Sequence, residues 1–101
     1  MFGDMMGKLQ EMKQKVEETK QRLDTITVIG ESGNGRVKVT ANGNKKVVNI
    51  TLLDQVLKGD KEELEDLLLI AVNRALEQSE KVYEAEMQGA TKGFLPNIPG
   101  M

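Results

Sequence analysis

With 101 residues, 39% of them apolar and 30% charged, the chain is long enough for one compact domain but too short for a large core, so oligomerisation is expected to add stability. It has no cysteine and no histidine, which excludes disulfides, thiolate nucleophiles and zinc-thiolate sites, removes the commonest general base, and argues against an enzyme, a bound metal or a cofactor. The net charge of -2 is unevenly split: residues 1–51 hold nine Lys or Arg against six Asp or Glu, net +3, while residues 52–101 hold five against ten, net -5, making the first half the candidate surface for an anionic partner.

Aromatic residues are only 3% of the chain, too few for the stacking platform on which single-strand binders hold bases. The opening residues carry Asp4 and no continuous apolar run, so they do not read as a secretory signal, and nothing approaches the ~20 apolar residues of a membrane span. A cytoplasmic protein with no membrane partner and no small-molecule substrate is expected.

From Asp4 to Asp24, Met5, Leu9, Met12, Val16, Thr19 and Leu23 recur at steps of three and four, predicting an amphipathic helix over 4–24 with Asp4 as its N-cap. Met5, Leu9, Met12 and Val16 on this stripe are candidates for subunit contact. The same helix carries Lys8, Lys13, Lys15, Lys20 and Arg22 among Glu11, Glu17 and Glu18. The residues alone leave two readings of this set, a solvated helix face or phosphate contact by a projecting arm.

β-Branched residues begin at Thr25 and predict a first strand over 25–31, closed by the Gly30 to Gly35 turn. That glycine-rich run lacks a following Lys-Ser or Lys-Thr pair and joins two strands, so it is a turn and not a phosphate loop. A second strand over 36–41 alternates with period two, placing Val37, Val39 and Ala41 on one face. Asn42-Gly43 is expected to supply the positive φ of a tight hairpin leading to a third strand over 46–52, with Val48, Ile50 and Leu52 in phase. Arg36, Lys38, Lys45 and Lys46 face only Glu31 between residues 31 and 51, either as a positive strip on the sheet or as edge lysines that block aggregation.

After a connector over 53–59, Asp60 and Glu63 resemble a capping box opening a second long helix over 60–87. Leu64, Leu67, Leu68, Ala71, Val72, Ala75, Leu76, Val82 and Tyr83 give it a wide apolar face, enough to cover the sheet and leave Leu68 and Val72 as candidate subunit contacts. The acids Glu62, Glu63, Glu65 and Asp66 oppose the dipole of the first turns and are no metal cluster. Residues 1–88 are thus expected to form a single domain, and 89–101, with three glycines and both prolines, a flexible tail. The fold class is α+β: helix, three-stranded antiparallel sheet, helix, with the first helix free to project and the sheet edges inviting a second copy.

The run from Val28 to Gly43, the opening Met5-Met6-Gly7-Lys8-Leu9-Gln10-Glu11-Met12, the segments Leu64-Glu65-Asp66-Leu67 and Ala71-Val72-Asn73-Arg74-Ala75, and the Gly- and Pro-containing end resemble, in order, the YbaB/EbfC family of bacterial nucleoid-associated proteins. The resemblance implies a homodimer with helices projecting like tweezer arms that grip double-stranded DNA with limited sequence preference. It implies a place in the nucleoid, with a role in nucleoid organisation or gene expression. The positions that match the family's arm are Lys8, Lys13, Lys15, Lys20 and Arg22; Arg36 stands where an apolar residue is expected, and there is no catalytic residue to transfer. The rival reading is a non-enzymatic protein-interaction adaptor or small holdase using the same arms.

Overall fold

The computed structural model describes the backbone of residues 2–92 and the side chains of 4–92. Helix α1 spans Phe2–Leu23, strands β1, β2 and β3 span Thr27–Ser32, Val37–Asn42 and Val47–Leu52, a one-turn helix α2 spans Asp54–Leu57, and α3 spans Lys61–Thr91. The three strands form an antiparallel meander in the order β1-β2-β3.

Alternation decides which face of β2 is covered. Val37, Val39 and Ala41 have no exposed surface and meet Ala71 and Ala75 of α3, with Val56 of α2 closing one end. The small α3 residues let the helix lie close to the sheet, and Gly30 of β1 completes the approach. A Cβ at Gly30 would fall on the Ala71 carbonyl oxygen and the Ala75 amide nitrogen, so the glycine there is required by space and not by backbone freedom. Gly30 and Ser32 therefore belong to the strand, and the turn is confined to residues 33–36, with Gly33, Asn34 and Gly35 all at positive φ. Ser32 also bonds to α3, its hydroxyl donating to the Leu67 carbonyl at 2.6 Å.

The second hairpin departs from expectation. Gly43 does not take up the positive φ; Lys45 does, at 65°, a conformation costing an L-residue about 1–2 kcal/mol. Gly43 is used for proximity instead: its amide donates to Leu23 O and Ile26 O at 2.9 Å each, and a Cβ would come within 2.7 Å of Leu23 Cδ2. A register shift between Thr40 and Ala41 sets Val47 opposite Ala41. Expected in phase with Ile50 and Leu52, Val48 is displaced by this bulge. β3 buries little: Val48 and Ile50 are 55% and 47% exposed, because α3 lies over β1 and β2 and scarcely reaches β3.

The helices end differently from their expected bounds. α1 begins before Asp4, which sits inside its first turn, where it opposes the dipole, and not at the expected N-cap position. Asp60 does cap α3, accepting from the Glu62 amide at 3.3 Å, whereas Glu63 turns to Arg36 at 3.1 Å and leaves the capping box half made. α3 continues through Gly89 to Thr91, so 89–91 are helix and not tail; the rest of the expected tail, from 93, lies outside the described residues. The connector contains α2, which contributes Val56 to the core.

Beyond Ser79, α3 leaves the sheet and runs beside α1. The apolar stripe of α1 records where its cover begins: Met5 and Leu9 are 63% and 57% exposed, Met12 and Val16 are half-buried, and Thr19 and Leu23 are buried. The radius of gyration, 19.0 Å, far exceeds the ~13 Å of a compact domain of this length, because α1 and the end of α3 extend as an arm from the helix-on-sheet body.

Candidate functional site

The arm's direction is set at the C-terminus of α1. Helix-end carbonyls have no partner within the helix, and here the β2–β3 hairpin supplies donors. The Gly43 N–H donates to Leu23 O, and the Asn44 side-chain Nδ2 donates to Lys20 O at 2.8 Å and to the Asp24 carboxylate at 2.5 Å. Ser79, fully buried on α3, ties the same hairpin to the second helix: its hydroxyl donates to Asn42 O at 2.5 Å and accepts from the Lys45 amide at 2.9 Å. Three segments distant in sequence thus lock at one joint, and a buried hydroxyl with both roles satisfied is costly to replace.

At 100° per residue, the charges of α1 sort into rows. Lys8, Lys15 and Arg22 recur every seven residues along one flank of the apolar stripe, Lys13 and Lys20 along the other, and Glu11, Glu17 and Glu18 lie toward the back. All of these side chains are exposed. Arg22 pairs with Glu86 of α3 and is thereby the arm's internal clamp; among the described residues Lys8, Lys13, Lys15 and Lys20 have no ion-pair partner.

The expected positive strip on the sheet divides in two. Arg36 is bound to Glu63 and to the carbonyl of Gly33, and Lys38 to Glu31 at 3.7 Å, so the cations at the 33–36 turn are matched by acids. Lys45 and Lys46 sit at the opposite end of the sheet, beside the root of the arm. There Lys20, Lys45 and Lys46 line one cleft with Glu17, Gln21, Asp24, Asn44 and Tyr83, and the Lys45 ammonium lies 4.1 Å from the centre of the Tyr83 ring. Sequence reasoning missed Arg74, whose guanidinium donates to Glu31 O at 2.7 Å; its spacing on α3 carries no signal apart from the fold.

The candidate subunit contacts are also divided. Met12, Val16, Leu68 and Val72 are half-buried within the chain, and Leu68 and Val72 flank the core, while Met5 and Leu9 remain exposed. The larger uncovered apolar side chains of the body are Ile29 on β1, Val47, Val48 and Ile50 on β3, Leu53 and Leu57 around α2, and Leu69 and Ile70 on α3. Among the described residues no group of acids is placed to hold a metal, and no helix is long and apolar enough to cross a membrane.

A sheet covered by one helix, a projecting two-helix arm and exposed lysine rows define a small α+β protein whose chemistry is that of a charged binding surface. The sequence matches the YbaB/EbfC DNA-binding family over residues 1–94. It is 43% identical to a nucleoid-associated protein of Flavobacterium johnsoniae, covering 96% of this chain and 91% of that one. It is 42% identical to a nucleoid-associated protein of Caldanaerobacter subterraneus subsp. tengcongensis, covering 99% and 89%. The crystal structure of an uncharacterized Helicobacter pylori protein has the same fold, with a TM-score of 0.78 at 26% identity over 84% of this chain and 90% of that one. The chain belongs to the YbaB/EbfC DNA-binding family, a family that is not enzymatic.

Proposed function

We propose that the protein is a nucleoid-associated protein of the cytoplasm that binds double-stranded DNA as a homodimer, with limited sequence preference, and contributes to nucleoid organisation or gene regulation. The observation that carries this reading is the pair of lysine rows on α1, which have no acid partner among the described residues. Lysines of this kind exchange condensed counterions for phosphates, and the contact is indifferent to base sequence. The family match and the names of the bacterial relatives support the same partner.

Two features support the dimer. β3 is an edge strand with free backbone groups, and its Val47, Val48 and Ile50, with Leu53 and Leu57, stand 38–60% exposed. Covering each such side chain contributes about 1 kcal/mol, enough in sum to favour a second copy.

Gel shifts across salt concentrations test this. Four lysines from each of two copies on phosphates would give a slope of log affinity against log salt near about -7, similar for random and native duplexes. Absence of duplex binding at low ionic strength would refute the reading. Reversing the charge of Lys8, Lys13 and Lys20 together is expected to weaken binding to every duplex alike while leaving the oligomer intact by light scattering.

A further inference from the structure

We propose that the cleft at the root of the arm, walled by Lys20 of α1 and by Lys45 and Lys46 of the β2–β3 hairpin, is a fixed docking point for a phosphodiester of duplex DNA. This rests on the DNA-binding reading above and deepens it by locating one contact in the body of the protein, where the arm meets the sheet.

Lys45 is the informative residue. It occupies the left-handed backbone region at φ 65°, where glycine or asparagine fits with less strain. The adjoining residue is itself an asparagine, Asn44, so the turn's own chemistry does not call for a lysine at 45. The backbone there is held from outside, by the Ser79 hydroxyl on the Lys45 amide, and the side chain is held by the Tyr83 ring face, 4.1 Å from the ammonium. An ammonium on an aromatic face keeps its N–H groups on the far side free, and its rotamers are restricted before any ligand arrives. This lysine is preorganised, unlike those of the outer arm.

The surroundings fit an anion that bridges several cations. Lys20, Lys45 and Lys46 have no ion pair among the described residues, although Glu17 and Asp24 line the same cleft. Asp24 accepts from the Asn44 side-chain amide at 2.5 Å and keeps its charge, so the three lysines face two acids, Glu17 and Asp24, and the cleft remains net positive by one. Lys20 also ends the Lys13–Lys20 row of α1, so a strand of phosphates following that row is led into the cleft. A continuous track from arm to body suits a duplex backbone, with many phosphates at regular spacing, and gives no advantage to a single free anion.

The test compares Lys45→Asn, Lys46→Gln and Lys20→Gln with Lys61→Gln, a control on the far end of α3 whose lysine pairs with Glu65. Lys45→Asn relieves strain in the left-handed region and gives up the contact with Tyr83, two small effects of opposite sign, so its thermal unfolding midpoint is expected to stay within a few degrees of the wild-type value while its duplex affinity drops. Lys46→Gln and Lys20→Gln, at exposed positions without backbone strain, each remove one lysine from each of two copies and are expected to reduce the salt slope by about 2, and Lys61→Gln to leave it unchanged. Wild-type slopes in Lys45→Asn and Lys46→Gln, with the wild-type protein binding duplex, would overturn the cleft and leave the proposed function standing. No binding by the wild-type protein would remove both. Displacement of duplex by inorganic phosphate at matched phosphate concentration would overturn it in another way, making the cleft a free-anion site.

Discussion

The two ends of α1 carry the same apolar stripe and meet opposite fates. At its root Leu23 is wholly buried against the β2–β3 hairpin, while at its tip Met5 is 63% exposed. Helical periodicity is identical at both ends; the difference is whether α3, running back along α1, has reached that point. One stripe therefore serves as core where it is covered and as free surface where it is not, so substitutions along a single face should have graded effects.

The largest effect is expected in the body that supports the root. Gly30→Val would drive a side chain into the α3 backbone, which has no rotamer to yield, and should cost about 3 kcal/mol or more; urea denaturation of the purified variant measures it. Leu23→Ala at the root should cost about 2–5 kcal/mol by leaving a cavity, with a matching fall in the urea midpoint at unchanged slope. Ser79→Ala should cost about 1–3 kcal/mol, since it strands the Lys45 amide and frees the Asn42 carbonyl. Faster hydrogen exchange at Lys45 would show that the joint has loosened.

At the tip the contrast sharpens. Leu9→Ala removes a side chain that is 57% exposed and should change stability by less than about 0.5 kcal/mol. A loss comparable to that of Leu23→Ala would mean that the tip is covered in solution, and the comparison between the two ends would fail. Arg36→Gln is likewise expected to be small, no more than about 1 kcal/mol by urea denaturation, because its pair with Glu63 is largely solvent-facing and its remaining bond is a single one to the Gly33 carbonyl.

Much of the fold was legible. The 3–4 stepping of α1, the period-two pattern of β2 and the Asp60 cap each depend on local geometry, and each emerged close to its expected bounds. Local rules failed where a distant segment intervened. Gly43 was expected to relax a turn and instead makes room for Leu23; Gly30 was assigned to a turn and instead admits α3. The lysines of α1 were readable as a set, since they share one helix. That Arg36 would meet Glu63 and that Lys45 and Lys46 would join Lys20 was not, because those neighbours lie far away along the chain, while the pairing of Lys38 with Glu31 turned on the exact register of β1 against β2.

Composition, periodicity and residue order were enough to determine an α+β chain without catalytic histidine or cysteine, with its positive charge gathered in the first half. Those properties follow from residue type and from spacings shorter than about two helical turns. Tertiary structure alone decided which lysines are matched by acids, which part of the α1 stripe is covered, and where α1 points. The course of α1 depends on the docking of the β2–β3 hairpin against α1 and α3, and the cover of its stripe and the pairing of Arg36 depend on where α3 lies, contacts between segments whose separation in sequence leaves no local trace.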